Sequence, residues 1–467
     1  MLFSSLTFIF FLIPYVFLHY LLPVRYRNLL IIIGSSIFYA WWKPALIWIP
    51  FCLIAIAYAG YNAIQVTAPT NKKKLLFLVI ALLCLPLLVY KYSNFILLEI
   101  ISPLLGTDIQ TNPYPIPLGI SFITFTLIAF VVDSYNNRIK YKVSLTTFAS
   151  YILFFPQLIA GPILRSDQLI PQLIRNSKAR LTSRRFQSSL GIFTLGFIKK
   201  LVFADQIAIY VDKIYSATSI PSFQDTLLCI YGFSVQIYCD FSGYIDMAVG
   251  VSLLLGVKLP VNFKKPYISY DLADFWRRWH ITLSNWLRDY IYIPLGGNRV
   301  TNIIQSRNLL FTMIVGGIWH GANWTFLLWG IFHGLGLTIT HLLKIFSLKS
   351  FRISTPLRIF LTFHIVSFSW VLFRSTSIHN AINIYSGLFT ISSTSYNDLT
   401  LFVAQNLPII ILVFTFFVTH HLDDWSKAVF FMRKTPPEVK YPLLLSLLIL
   451  CLSLSHGSSG RFIYFDF

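Results

Sequence analysis

Charge is what this sequence has least of. Asp, Glu, Lys and Arg together supply 12% of its 467 residues, about half the share of an ordinary soluble domain. The acidic part is thinner still, 17 residues against 37 Lys and Arg. No charged, polar stretch is long enough to hold a soluble domain. Cysteine is scarce too: Cys52, Cys84, Cys229, Cys239 and Cys451 all fall in apolar runs without ligand spacing. They read as small buried hydrophobes, and neither a disulfide framework nor a metal site is expected. Also missing are a Gly-rich phosphate loop, a zinc-type His/Glu pair and a nucleophile elbow. There is no fixed-period repeat, no low-complexity tract, and no basic n-region or cleavage site before the first apolar run.

What is present is hydrocarbon. Apolar residues make up 56% of the chain and mean hydropathy is +0.68. Apolar runs such as Leu2–Leu22, Leu29–Trp42, Ala45–Tyr61, Leu75–Tyr90, Thr226–Val257, Leu309–Leu343, Leu357–Phe373 and Leu407–His420 recur along it. A bilayer core of about 30 Å takes roughly 20 helical residues to cross. The sequence therefore predicts an all-α polytopic transmembrane bundle of about ten to twelve spans, residues 1–467 forming one membrane-embedded domain. The formal net charge of +20 is the mark of basic turns between spans. Without a recognisable reading module it does not point to nucleic acid. Arg25 and Arg27 follow the first run and Lys72, Lys73 and Lys74 the third, which places the N-terminus outside and these turns in the cytoplasm.

Two segments break the alternation of spans. FFPQLIAGPI, Phe154 to Ile163, carries Pro156, Gly161 and Pro162, each disruptive to a helix. If it crossed, it would strand Arg165, Arg175, Lys178, Arg180, Arg184 and Arg185 outside. A re-entrant segment resolves this, and irregular backbone at membrane depth implies an enclosed cavity. The second, WRRWHITLSNWLRDYIYIPLGG, places Phe275, Trp279, Leu283, Trp286, Leu287 and Tyr290 on one helical face. It is either an interfacial helix resting on headgroups or a helix tucked into the protein, bringing His280 to a cavity mouth.

Polar side chains inside apolar runs are the candidates for chemistry. GGIWHGANW sets His320 beside Gly316, Gly317 and Gly321, with Trp319 preceding it. As one helix it would put Asn323 and Trp324 on the same face, at i+3 and i+4. The bland alternative for a lone membrane histidine is helix–helix hydrogen bonding, the role expected of His333. QIYCDFSGYID gathers Asp240, Ser242, Tyr244 and Asp246. Its two carboxylates are either paired with nearby Lys or Arg to fix packing or, in a competing reading, the proton carriers of a transporter or flippase. Histidine, hydroxyls and a membrane cavity suit acyl transfer to a hydroxyl with imidazole as general base.

PLGISFITF, FFPQLIAGPI, QIYCDFSGYIDMAVG, NFKKPYISYDLADFWRRWHITLSNWLRDYIYIPLGGNR and GGIWHGANWTFLLWGIFHG together resemble the membrane-bound O-acyltransferase family. The likeness is to the bacterial branch that includes alginate and peptidoglycan O-acetyltransferases and the teichoic-acid D-alanyl transfer protein. It runs the length of the chain, with core motifs in residues 117–334. The resemblance implies a helical shell around a central tunnel, with His320 as the active-site histidine. His280 would be a second functional position, where many other members carry Asn. It further implies a cytoplasmic thioester donor, acetyl-CoA or an acyl-carrier thioester, with no bound cofactor. An extracytoplasmic transferase of the SGNH-hydrolase type would be the partner, and the setting the bacterial inner membrane. Lys264, Lys265, Arg277 and Arg278 are expected to meet the donor's phosphates. Asn323, Trp319, Trp324, Asp240 and Ser242 are expected along the tunnel. Similar aromatic tails in this branch suggest that Tyr464, in the segment 461–467, is an acyl carrier; the alternative is an interfacial aromatic anchor.

Overall fold

Uncharged runs rich in branched and aromatic residues satisfy their main-chain groups in lipid by closing hydrogen bonds within each segment, and so become helices. The computed structural model describes residues 1–112, 114–175, 180–345, 354–390, 396–454 and 463. Among these it holds helices and turns and no strand. Six helices are long and apolar enough to cross a membrane: Pro44–Val66, Pro69–Leu105, Phe223–Leu254, Trp324–Ile345, Thr355–Arg374 and Asp398–Leu422. Leu6–Leu21 and Ile120–Tyr135 are apolar but shorter. This is fewer than the ten to twelve expected. Several apolar runs are interrupted by Pro, Gly or a polar cap, and become helices too short to cross. The surfaces of the long helices are oily: Phe77, Ile339 and Phe414 are more than half exposed, as lipid-facing side chains are. Cys52 also lies exposed, whereas Cys229 and Cys239 are buried free thiols.

The described residues group into two compact units: residues 1–193 with 247–260, and residues 194–246 with 261–467. The 32-residue helix Phe223–Leu254, about 48 Å long at 1.5 Å per residue, contributes its first three-quarters to the second unit and its end to the first.

In the first unit the two proline–glycine motifs meet. Gly119 starts the helix Ile120–Tyr135 in the left-handed region (φ 66°). A Cβ there would stand 2.3 Å from the Leu158 carbonyl oxygen, so only glycine admits this approach. Phe154 to Leu164 is buried throughout. The segment is a four-residue helix, Phe155–Leu158, followed by irregular chain. Tyr151 Oη donates to the Leu164 carbonyl at 2.7 Å, tying the segment's two ends together. Its flanking helices, Leu145–Leu153 and Ser166–Arg175, have 9 and 10 residues. Both are too short to span, as a dipping segment requires. The return strand of chain, 247–260, is pinned by Gln172, which donates to the Lys258 carbonyl and accepts from its N–H at 3.0 and 2.9 Å.

The second unit carries both histidine motifs. The run Leu309–Leu343 does not form one helix. It folds as a hairpin of Asn302–His320 and Trp324–Ile345, whose axes approach closely at two glycines. A Cβ on Gly317 would meet the Phe326 carbonyl oxygen at 2.4 Å, and one on Gly330 the Met313 carbonyl oxygen at 2.6 Å.

Candidate active site

His320 is the last residue of its helix, and Gly321 beyond it is fully extended (φ −166°, ψ 154°). Asn323 and Trp324 therefore do not share its helical face, correcting the i+3/i+4 reading. Asn323 caps the next helix instead: its Oδ1 accepts from the Thr325 N–H at 3.0 Å, and its Nδ2 donates to the Thr376 carbonyl at 2.7 Å. Trp324 is 38% exposed. The imidazole of His320, 3% exposed, sits in an aromatic cage. Trp319, Phe373 and Trp329 stand edge-on to it with ring centroids 5.0, 5.0 and 5.2 Å away. Phe326 lies at 6.4 Å. A Cβ on Gly321 would strike the Phe326 ring at 2.1 Å, so the glycine after His320 is what lets that wall close.

His280 lies at a break. The predicted single amphipathic helix is two, Leu272–Arg278 and Ile281–Leu287, joined through Trp279 and His280. His280 itself is left-handed, φ 41°. The face predicted from spacing is nevertheless inside: Phe275, Trp279 and Leu283 are each 1% exposed, and Leu287 and Trp286 are 3% and 6%. That burial places the segment within the protein and not resting on its surface. The break is held by Asn262, a residue the sequence gave no reason to single out. Its Oδ1 accepts from the Thr282 N–H and hydroxyl at 3.0 and 2.9 Å. Its carbonyl accepts from the Ile281 N–H at 3.0 Å, and its Nδ2 lies 3.3 Å from His280 Nδ1. With the amide donating, Nδ1 is the bare nitrogen and Nε2 carries the proton. His280 is fully buried, and burial pushes its pKa down to about 3, so the ring is neutral at physiological pH. One indole joins the two histidines: Trp319 lies 6.2 Å from His280 and 5.0 Å from His320, centroid to centroid.

The four basic candidates are neighbours. The Lys264 N–H donates to the Arg278 carbonyl at 2.9 Å, Arg278 Nε contacts Asp274 at 3.0 Å, and Arg277 reaches Asp274 at 3.5 Å and the Tyr270 hydroxyl at 3.3 Å. Lys265 follows in a left-handed turn. Arg277 and Lys264 are exposed.

Asp240 and Asp246 lie three residues either side of Gly243 on one helical face. A Cβ on Gly243 would be 2.7 Å from the Gly196 carbonyl oxygen and 3.1 Å from Lys200 N. The missing side chain lets the Lys199–Lys200 segment lie against the helix. Lys199 Nζ then bridges Asp246 and Asp423 at 2.8 and 2.7 Å, and Lys200 Nζ bridges Asp240 and Asp205 at 2.8 and 2.7 Å. Trp425 Nε1 adds a 2.7 Å hydrogen bond to Asp246. These are paired, packing carboxylates. The lysines were overlooked in the sequence, although two adjacent cations inside FIKKLVF were the signal for them. Ser242 is buried, 1% exposed, on the same helix. His333 takes its expected role: Nδ1 accepts from Trp276 Nε1 at 3.3 Å and Nε2 faces Ser369 Oγ at 3.0 Å. Two surface grooves, of about 730 and 600 Å³, are lined around Arg27 and Arg180 and around Lys213 and Asn406; neither lining includes His280 or His320. Tyr464 lies outside the described residues.

A caged imidazole at a helix end thus lies beside a second, neutral imidazole on a buried break, in a protein whose described residues include six helices long and apolar enough to cross a membrane. The family model for the membrane-bound O-acyltransferase family matches residues 27–377, and the chain belongs to that family. It is an O-acyltransferase. It is similar to a probable alginate O-acetylase, AlgI, of Azotobacter vinelandii, 38% identical over 90% of this chain and 84% of that protein. The AlgI of Pseudomonas aeruginosa is 36% identical over 90% of this chain and 80% of its own. A peptidoglycan O-acetyltransferase of Helicobacter pylori is 34% identical over 85% and 81%.

Proposed function

We propose that this enzyme takes acetyl groups from a cytoplasmic thioester, acetyl-CoA, and passes them across the bacterial inner membrane for O-acetylation of an exported polysaccharide such as alginate or peptidoglycan. The observation that carries the reading is the His320 cage at the helix end, joined through Trp319 to the neutral His280. The donor's phosphates dock on Lys264, Lys265, Arg277 and Arg278, and its thioester enters a passage to His320. The imidazole takes the proton of an incoming hydroxyl as the oxygen attacks the thioester carbonyl. The C–S bond breaks as the C–O bond forms, and the imidazolium returns the proton to the departing thiolate. The Nε2–H of His280 or a main-chain N–H steadies the oxyanion. Tyr464 is the first acceptor hydroxyl, and an extracytoplasmic transferase of the SGNH-hydrolase type carries the acetyl group to the polymer. The distribution of Arg and Lys around the first three apolar runs supports an extracytoplasmic N-terminus. A proton-coupled transporter would need Asp240 and Asp246 free to load and release protons, and their lysine partners disfavour it. In proteoliposomes, His320→Ala should lower acetyl transfer at least about 100-fold, the scale of a lost general base, while elution in detergent stays native. Full turnover by a folded His320→Ala protein would remove the reading.

A further inference from the structure

The two carboxylates flanking Gly243 are used differently. Asp246 is surrounded by side chains, Lys199 and the Trp425 indole. Asp240 gives Oδ1 to Lys200 Nζ at 2.8 Å and Oδ2 to a main-chain donor 223 positions away, the Ile463 N–H at 2.8 Å. Asp240 is 2% exposed and Lys200 3%, so this hydrogen bond forms with little competition from water. The Ile463 side chain is a second, separate anchor: it is 9% exposed and belongs to the same hydrophobic core as Ile207, Phe233 and Phe416. A main-chain donor pins a segment's register whatever its side chains. The residue next in the chain is Tyr464.

We propose that Asp240, paired with Lys200, is the docking post for the aromatic tail through Ile463. Its carboxylate captures the Ile463 N–H and the isoleucine side chain seats in the core of the second unit, one position before Tyr464 in the sequence. Asp240 is then a positioning residue for the carrier step. That consequence rests on the acyl-carrier reading of Tyr464; the docking itself does not. The motif CDFSGYID so acquires two tasks, one carboxylate holding helices together and the other holding the tail.

Hydrogen–deuterium exchange of the full-length enzyme in nanodiscs, read by mass spectrometry on peptides covering 461–467, tests the docking without reference to activity. At least about tenfold slower exchange than in the free heptapeptide RFIYFDF is expected, as for any amide that opens only by local unfolding. That protection should be lost in Asp240→Ala. Ile463→Pro, which removes both the donor and the isoleucine side chain but alters no helix, serves if Asp240→Ala fails to fold. It should bring the remaining tail amides to the free-peptide rate. In the same variant acetyl-CoA hydrolysis should be retained while acetyl delivery to the acceptor falls at least about tenfold, the two activities parting company. Free-peptide exchange in the unaltered enzyme, or protection that survives both substitutions, overturns the docking. Unchanged delivery by an undocked Ile463→Pro enzyme overturns the positioning role. Failure of the acyltransfer reading would instead show as His320→Ala turning over normally, with the tail still protected.

Discussion

Asn262 is the residue that the sequence could least have announced. A single asparagine between Val261 and Phe263 has no periodicity; it opens the NFKKPYISY motif, but its value arises only when the chain returns to lay Thr282 and His280 beside it. His280 was legible from its place in WRRWHITL, but its left-handed backbone and its full burial were not. The burial has a measurable cost. With a pKa of about 3 in the folded protein and about 6.5 unfolded, the unfolded chain binds the extra proton as pH falls. Stability due to the neutral ring is therefore intact above pH 6.5 and is lost progressively towards pH 3. Between pH 7.5 and 5.5 this one ring accounts for about 1.4 kcal/mol of lost stability. Thermal unfolding in detergent should show His280→Asn losing about that much less than the unaltered protein over the same interval. An equal loss in both would contradict a buried neutral imidazole.

At the scale of elements, apolar runs were easy to see, and the six long helices fall within or overlap the runs seen in the sequence. Their ends were harder, because a single extended glycine decides them. Gly321 turns one run of about 35 apolar residues into a hairpin, which removes Asn323 and Trp324 from the His320 face; periodicity cannot foresee that, since the pattern is apolar on every side. Likewise the spacing that selected Phe275, Trp279, Leu283, Trp286 and Leu287 picked buried side chains, with Tyr290 only half-buried, while missing the break between the two short helices. The hairpin's tightness is testable. Gly317→Ala and Gly330→Ala place a methyl against main-chain oxygens that cannot rotate away, at 2.4 and 2.6 Å, and each should destabilise by about 1–3 kcal/mol and lower turnover. Gly316→Ala meets only the end of the Leu287 side chain at 3.1 Å and should be tolerated. The comparison needs only melting temperatures and initial rates for three single variants.

At the scale of the whole chain, charges scattered through a nearly chargeless sequence prove to be partners. Lys199, Asp246 and Asp423 are separated by up to 224 residues and meet within 2.8 Å. Pairing of this kind was open in the sequence, where Asp240 and Asp246 were visible but their cations were not assigned. Lys199→Met should destabilise by about 3–5 kcal/mol because two buried carboxylates lose their counter-charge. Lys199→Met combined with Asp246→Asn should recover part of that loss. A double variant no better than the single one would mean that the contact does not hold the second unit together.

The left-handed turn at residue 280 narrows the alphabet there for a reason unrelated to reactivity. At a φ of 41° most side chains crowd their own carbonyl, and histidine and asparagine are among the few types that tolerate the region. Those are the two residues expected at this position across the wider family. Backbone geometry admits both before any chemistry chooses between them, so swapping one for the other alters what the site can do to a proton while leaving the path of the chain alone.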